Sequence, residues 1–247
     1  LGETSGATFL DYLKHFMTTL VPLTSLGSSP EDGSTFVSSI GRYQTYDSRP
    51  LPELDVDPLW LPTRTEMTLM LAELRFFIQD GNGDFLSGGI YYWGDLSGLP
   101  SPAQTTEPTI HRHLSFHHAA LAMACQVANP ALPQSDHQTG EAYFQRAKDL
   151  LGNPLNIMRF TLSDVSALAL MGYYLIELNR RDAAYLCISL ATHVSIMHGA
   201  HRYCVDEAGK RIFWTLFILD QWLSCLMGRP PTIVDEAVRL PFPADTP

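Results

Sequence analysis

Residues 206–231, DEAGKRIFWTLFILDQWLSCLMGRPP, decide the fold. From Ile212 to Met227 the stretch is apolar almost throughout, carrying Phe213, Trp214, Leu216, Phe217, Ile218, Leu219, Trp222 and Leu223, with Asp220 and Gln221 as its interruptions. That run is too short and too polar to span a membrane. A helix that is apolar on nearly every side belongs instead in a protein interior. It begins at or near Asp206 and is closed by Gly228, with Pro230 and Pro231 behind it to forbid continuation. Asp220 is then the most informative charge, because a carboxylate in such a helix needs a partner. Arg229, Arg211 and the ends of neighbouring helices are the candidates, with an arginine or a backbone amide as the expected donor.

Two further helices precede it at short range. Thr161-Leu162-Ser163-Asp164 has the form of a capping box, with Asp in place of the preferred Glu or Gln, and opens a helix to about Asn179. After Asn179-Arg180-Arg181-Asp182 the next helix presents Ala184, Cys187, Ile188, Ala191 and Val194 on one face and stops at Gly199, a good residue for a helix end. Three long helices joined by a few residues pack as antiparallel neighbours. Upstream, helical spacing predicts elements over about Phe9–Leu20, Thr65–Gln79, Pro108–Ala128 and Gln138–Leu151, with an aromatic loop Ile90-Tyr91-Tyr92-Trp93 between the second and third. From Val21 to Leu61 the chain is rich in Pro, Gly, Ser and Asp; a free loop of that length is improbable in a compact domain, so it reads as a strap over the helices. No strand alternation competes. The expected fold is all-α, an irregularly layered multi-helix domain of antiparallel helices with a long N-terminal strap, forming one domain over 1–247 with halves at 1–128 and 136–247.

Composition narrows function. The 247 residues are 45% hydrophobic and 17% charged, enough apolar material for a sizeable core. Sixteen basic against twenty-six acidic side chains leave a net charge of −10, a field that repels nucleic-acid phosphates and anionic lipid. Direct DNA contact and membrane binding are therefore not expected of this chain. Cys125, Cys187, Cys204 and Cys225 are far apart and form no Cys-x-x-Cys unit, so they read as reduced structural thiols of an intracellular protein. No signal peptide is visible at Leu1-Gly2-Glu3, and the opening Leu suggests a fragment of something longer.

The candidate chemistry is sparse. His113 and His117 have the i, i+4 spacing that lets two imidazoles share a metal, and His111 and His118 lie beside them, but the Glu of His-Glu-x-x-His is missing and the interleaved apolar residues favour helix-face or core histidines. His193, His198 and His201 lie near a helix end, where imidazoles bond free carbonyls. Asp80-Gly81-Asn82-Gly83-Asp84 starts like a calcium loop, yet Phe85 stands where the sharp turn needs Gly and Tyr91 where the bidentate Glu belongs, so it is a turn. Gly2-Glu3-Thr4-Ser5-Gly6 lacks the strand and the Lys of a phosphate loop. No nucleophile elbow or acid/base carboxylate pair is present. No catalytic residue, metal site or cofactor is assigned.

Lys210-Arg211-Ile212-Phe213-Trp214 followed by Phe217-Ile218-Leu219-Asp220, then Gly228-Arg229-Pro230-Pro231 and Leu240-Pro241, resembles the fungal-specific transcription factor domain, the middle homology region of zinc-cluster regulators of the xylanolytic-activator type. Ala183-Ala184-Tyr185-Leu186, Leu190-Ala191 and His198-Gly199-Ala200-His201-Arg202 are similar to that family's preceding helix and its Gly-Leu-His-Arg ending, with Ala200 in place of Leu; Gly2-Glu3-Thr4-Ser5-Gly6 is similar to its Gly-x-Ser-Ser-Gly entry. The resemblance implies a regulatory module of a nuclear transcription factor, with zinc confined to a Zn2Cys6 DNA-binding domain whose six-cysteine cluster this chain lacks. It implies as partners a small-molecule effector, a coactivator or repressor protein, or a second copy in a homodimer. The expected effector site lies where the long C-terminal helices meet the N-terminal half, at Phe213, Trp214, Phe217, Trp222 and His198, with Asp220, Arg229 and Arg211 as structural anchors. Two alternatives come from other classes: a helical enzyme with a metal or acid/base site, and a purely structural scaffold for dimerisation or coactivator docking.

Overall fold

The structure, a computed structural model, describes residues 12, 13, 15, 16, 50–80, 91–100, 108–127, 138–153, 160–204 and 206–244. Among these there are six long helices and no strand: α1 Arg64–Arg75, α2 Pro108–Val127, α3 Gly140–Leu151, α4 Leu162–Glu177, α5 Arg181–Met197 and α6 Glu207–Met227. Phe76–Asp80 prolongs α1 as a wider, π-type turn, and Asp235–Ala237 forms a short 3₁₀ turn after α6. The all-α expectation holds. The calcium-like turn, the glycine-rich entry, the first helix except residues 12, 13, 15 and 16, and the strap before residue 50 lie outside the described residues.

Local chemistry sets the helix ends. Thr63 and Glu66 form a reciprocal capping box at α1, and the Thr139 hydroxyl accepts from the Ala142 N–H at α3. At α4 the Asp164 carboxylate accepts from the Thr161 N–H at 2.7 Å and from its hydroxyl at 3.0 Å, so the shorter acid does serve here. At α6 Asp206 accepts from the N–H groups of Ala208 and Gly209. The last three helices end alike, on a left-handed residue that lets the chain fold back onto the final turn: Asn179 (φ 56°), Gly199 (φ 74°) and Gly228 (φ 59°). In each case the following N–H reaches the carbonyl five residues back: Arg180 to Leu175, Ala200 to Ser195 and Arg229 to Ser224.

Helices α1, α3 and α4 all pack on α2, α5 packs on α4, and α6 on α5. Gly172 permits the α4–α5 approach, because a Cβ there would lie 2.5 Å from Ile188 Cδ1. The main core joins Leu71 and Leu74 of α1, Leu121 of α2, Tyr143 of α3, Leu170 and Tyr174 of α4, Ile188 of α5 and Leu216, Leu219 and Leu223 of α6. Leu51, Trp60 and Leu61 of the described strap pack against it. Arg146 is buried at 1% exposure, its guanidinium lying over the Trp60 and Tyr143 rings while Nε donates to the Asp57 carbonyl at 3.0 Å. A second, smaller cluster of Ala200, Phe213, Ile233 and Leu240 lies on the other side of α6, with Trp214, Phe217 and Val238 against it.

Asp220 is buried as expected, at 1% exposure. Of the two expected kinds of donor it has the backbone amide and neither arginine. Both oxygens are taken by one residue of the loop that follows α6: Thr232 donates its N–H to Oδ2 and its hydroxyl to Oδ1, each at 2.7 Å, with the Ser189 hydroxyl of α5 2.9 Å from the Thr232 oxygen. Arg229 instead pairs with Asp182 at the start of α5 and lies over the Tyr185 ring, and Arg211 donates to the Ala244 carbonyl at 2.9 Å. The physical reason is direction. Pro230 and Pro231 return the chain so that the loop, not the long arginine side chains, reaches the acid.

Candidate functional site

A cleft of about 890 Å³ opens where five parts of the chain meet. The aromatic loop contributes Tyr92, Gly94 and Asp95; α2 contributes Arg112, His113, Phe116 and His117; the end of α3 contributes Leu150 and Leu151, continued by Gly152 and Asn153. The start of α4 supplies Thr161, Asp164 and Ser166, and the first turns of α6 supply Ala208 and Ile212. Concave, mostly apolar spaces with a few convergent polar groups are the usual form of small-molecule sites.

The aromatic loop is held rigidly. Trp93 is buried, donates its indole N–H to the Ile78 carbonyl at 3.0 Å and stacks on Tyr173 with ring centroids 4.7 Å apart. The Tyr92 N–H donates to the Thr215 hydroxyl at 2.8 Å, which donates in turn to the Arg211 carbonyl. Gly94 takes φ +124°, and any side chain there would strike the Phe116 ring at 2.7 Å. Asp95 accepts from the Ser97 hydroxyl and from the N–H groups of Ser97 and Gly98, all through Oδ1. The Ser97 hydroxyl above all keeps this carboxyl below its ordinary range, so it is charged. Burial, with the Asp95 charge adding to it, raises the Tyr92 phenol, which stays neutral.

On the opposite wall Arg112 reaches Asp164 at 3.3 Å and lies 4.7 Å over the Phe160 ring. One acid therefore does two things: Asp164 caps α4 and fixes the arginine of α2. The His117 ring lies between two carbonyls, Nε2 3.1 Å from that of Gly98 and Nδ1 3.3 Å from that of His113. Burial lowers its pKa more than these carbonyls raise it, leaving a neutral imidazole. His113 and His117 do face each other, with ring centroids 6.2 Å apart, but among the described residues no group of three or more His, Cys, Asp or Glu side chains could hold a metal ion. His118 is stacked on Tyr143 in the core and pushed down to about 3, by burial first and by Arg146 second. It is a core residue.

None of the five residues expected to form the effector site lines this cleft. Phe213, Trp214 and Phe217 lie on the far side of α6, where they hold the segment 238–244: the Trp214 indole donates to the Pro241 carbonyl at 3.1 Å and its ring stacks on Phe242 at 4.5 Å. Trp222 is half exposed, and His198 bonds the Phe160 carbonyl through Nε2 at 3.1 Å. The residues that do meet in the cleft are visible in the sequence only separately, in the Thr161–Asp164 cap, the His113–His117 spacing, Tyr92 of the aromatic loop and Ile212 of the α6 motif. All four cysteines are free, and burial pushes the Cys125 and Cys187 thiols up to about 12, far from nucleophiles.

The family model described as the fungal specific transcription factor domain matches residues 91–247, which contain α2 to α6 and every wall of the cleft. The chain belongs to this family. It is a transcription factor domain family, not an enzyme family. The chain is 29% identical over 115 residues to a transcriptional regulatory protein of Saccharomyces cerevisiae, and 28% identical over 116 residues to one of Schizosaccharomyces pombe, covering 43% and 44% of this chain. It is also 25% identical over 136 residues, 52% of this chain, to an ABC-transporter-regulating transcription factor of Aspergillus fumigatus. The matched region spans 15% of the length of each of these relatives. No solved structure matches. Among the described residues no helix is long and apolar enough to cross a membrane.

Proposed function

We propose that this chain is the effector-responsive regulatory domain of a longer fungal transcription factor, acting in the nucleus, and that a small molecule seated in the cleft controls transcriptional activity. The observation that carries this reading is the cleft itself, which draws walls from the aromatic loop and four helices, α2, α3, α4 and α6, all within the region that the family match covers. Its chemistry favours an amphipathic ligand, neutral or cationic. The apolar wall of Phe116, Leu151 and Ile212 suits a hydrocarbon or aromatic body. Arg112 is already engaged with Asp164, the Asp95 charge is unfavourable to anions, the neutral His117 has both ring nitrogens against the carbonyls of Gly98 and His113, and the neutral Tyr92 phenol is left as a hydrogen-bonding group. The chain's own net charge of −10 supports leaving DNA contact to another part of the factor.

The test is thermal unfolding of the 247-residue chain with and without the small-molecule fraction of a fungal extract. A ligand that binds only the folded state adds about 2.7 kcal/mol at one hundred times its Kd. Leu150→Trp, which places an indole in the cleft from the α3 wall, should abolish that gain. Stabilisation that survives the substitution, or a fraction that stabilises neither protein, overturns the assignment.

A further inference from the structure

The first turns of α6 have two working faces. Ala208 and Ile212 line the cleft, and Thr215 on the same side accepts the Tyr92 N–H of the aromatic loop. Glu207, Arg211 and Trp214 hold the segment 238–244. Glu207 accepts the Ala244 N–H at 2.6 Å, Arg211 donates to the Ala244 carbonyl at 2.9 Å, and Trp214 takes Pro241 and Phe242. The far edge of the segment is pinned by one acceptor, the His201 carbonyl, which takes the N–H groups of Arg239 and Leu240 at 2.8 and 3.1 Å. Arg211 joins the two faces, because its carbonyl receives the Thr215 hydroxyl while its guanidinium grips Ala244.

The second half of α6 differs. Leu216, Leu219, Leu223 and Met227 are set in the main core, and Asp220 is locked by Thr232. A disturbance at Ala208 or Ile212 therefore cannot be spread along the whole helix. It is met by an anchored C-terminal half and falls on the N-terminal turns, whose other face carries the segment. The segment is the softest neighbour on that side: it is held by a small cluster and a handful of hydrogen bonds, and Phe242, its aromatic contact with Trp214, is 77% exposed.

From these contacts we infer that docking of residues 238–244 on α6 is the output of the cleft: filling the cleft loosens the segment, and releasing the segment loosens the aromatic loop. This rests on the cleft as the effector site for its biological meaning, but the coupling is a property of the fold and can be measured without any effector. Released, the segment uncovers more of Trp214 and Phe217, an aromatic face that is only partly exposed in the docked domain. Coupling between sites is reciprocal as a matter of thermodynamics, which gives the inference two independent arms.

The experiment is hydrogen exchange followed by mass spectrometry on the whole chain, reading the amides of Arg239, Leu240, Phe242 and Ala244 within 239–244 and those of residues 91–96. Leu150→Trp, with Asn153→Trp as a second way of filling the cleft, should speed exchange in 239–244 by at least about fivefold, the low end of allosteric couplings. In the other direction Phe242→Ala and Arg211→Gln, the second keeping the main-chain carbonyl that Thr215 uses, should speed exchange in 91–96. Leu186→Ala, on an exposed face of α5, should move neither, and the α4 amides should stay protected throughout, which separates coupling from general loosening. Changes confined to the side of the substitution overturn the inference. Should the segment respond while no extract fraction binds, the coupling stands and the effector assignment alone falls; should a ligand bind and the segment not respond, the reverse holds.

Discussion

Two apolar clusters share α6, and they differ in kind. The main core takes Leu216, Leu219, Leu223 and Met227 along one stripe and joins them to five other helices. The smaller cluster takes Phe213, with Trp214 and Phe217 beside it, and joins them to Ile196 at the end of α5, to Ala200 and Cys204 after it and, among the described residues of the chain beyond α6, to Ile233, Val238 and Leu240. The second has the larger side chains and the poorer burial. Apolar content along a helix thus says that it will be covered, but not by what. Coverage by helices gives a close-packed interior in which each methylene matters, whereas coverage by an extended segment gives a joint that can open. The sharpest way to break this contrast is Leu223→Ala, at a residue with no exposed surface. A buried Leu truncated in a packed core costs about 2–5 kcal/mol, and denaturant unfolding should show the upper half of that range. A loss near 1 kcal/mol would mean that the main core is as loosely held as the smaller cluster.

Asp220 sits where the two clusters meet, and it ties the loop after α6 to the helix itself. Hydrogen bonds to a charged group contribute about 1.5–3 kcal/mol each, offset by the cost of burying the carboxylate. Asp220→Ala should therefore lose about 2–3 kcal/mol, a melting temperature drop of about 5–10 °C for a chain of this size. Asp206→Ala removes only a helix cap, worth about 1 kcal/mol. Equal effects would show that Asp220 is not the lock between the clusters. Thr232→Val removes one of the two donors, should cost about half as much as Asp220→Ala, and should not add to it fully.

Acid acts on the main core through His118, packed on Tyr143, and in the same direction on His201 beside the smaller cluster, whose pKa is also lowered by burial. His118 is kept neutral in the fold, with its pKa pushed down to about 3, but in the unfolded chain it protonates near its ordinary 6.5. Between these values the unfolded state binds the extra proton, so stability is complete above pH 6.5 and is lost as the pH falls. The slope reaches about 1.4 kcal/mol per pH unit for one such group. His117 adds to it in the same direction, its pKa also being lowered by burial. Unfolding free energies between pH 6.5 and 5 should fall less steeply in His118→Leu than in the parent chain, and identical slopes would remove His118 from the account.

What the sequence made legible follows from range. The caps at Thr161 and Asp206 and the stops at Gly199 and Gly228 are local chemistry, settled within one helical turn, and the structure has them where the pattern puts them. The burial of Asp220 was legible for the same reason, since its own helix demands it. That a backbone amide could serve it was legible too, but not which one, because Thr232 is an ordinary residue that becomes a double donor only when two prolines have turned the chain. The cleft was illegible for a stronger version of that reason. Its walls come from five segments, and what sets Arg112 against Asp164 is the packing of α2 on α4, which no spacing encodes. The aromatic residues of α6 drew attention as site candidates because they are conspicuous in the chain, while the α6 residues that face the cleft, Ala208 and Ile212, are not.

The smallest effect expected is also the one that best defines the second cluster. Phe242 stacks on Trp214 at 4.5 Å with the planes 26° apart, yet leaves 77% of its surface in solvent. Aromatic pairs contribute about 0.5–1.5 kcal/mol beyond the area they bury, and an exposed ring sits at the low end. Phe242→Ala should lower the global melting temperature by less than about 2 °C. Locally it should do more, because the segment has few other anchors: the Pro241 carbonyl on Trp214, the two Ala244 contacts and the two N–H bonds to His201. Losing the ring removes the stacking contact that sits beside the first of these. Exchange of the Arg239, Leu240 and Ala244 amides should therefore quicken while core amides on α4 do not. A global loss as large as that of Leu223→Ala would show instead that the segment is part of the core, and that the two clusters of α6 are one.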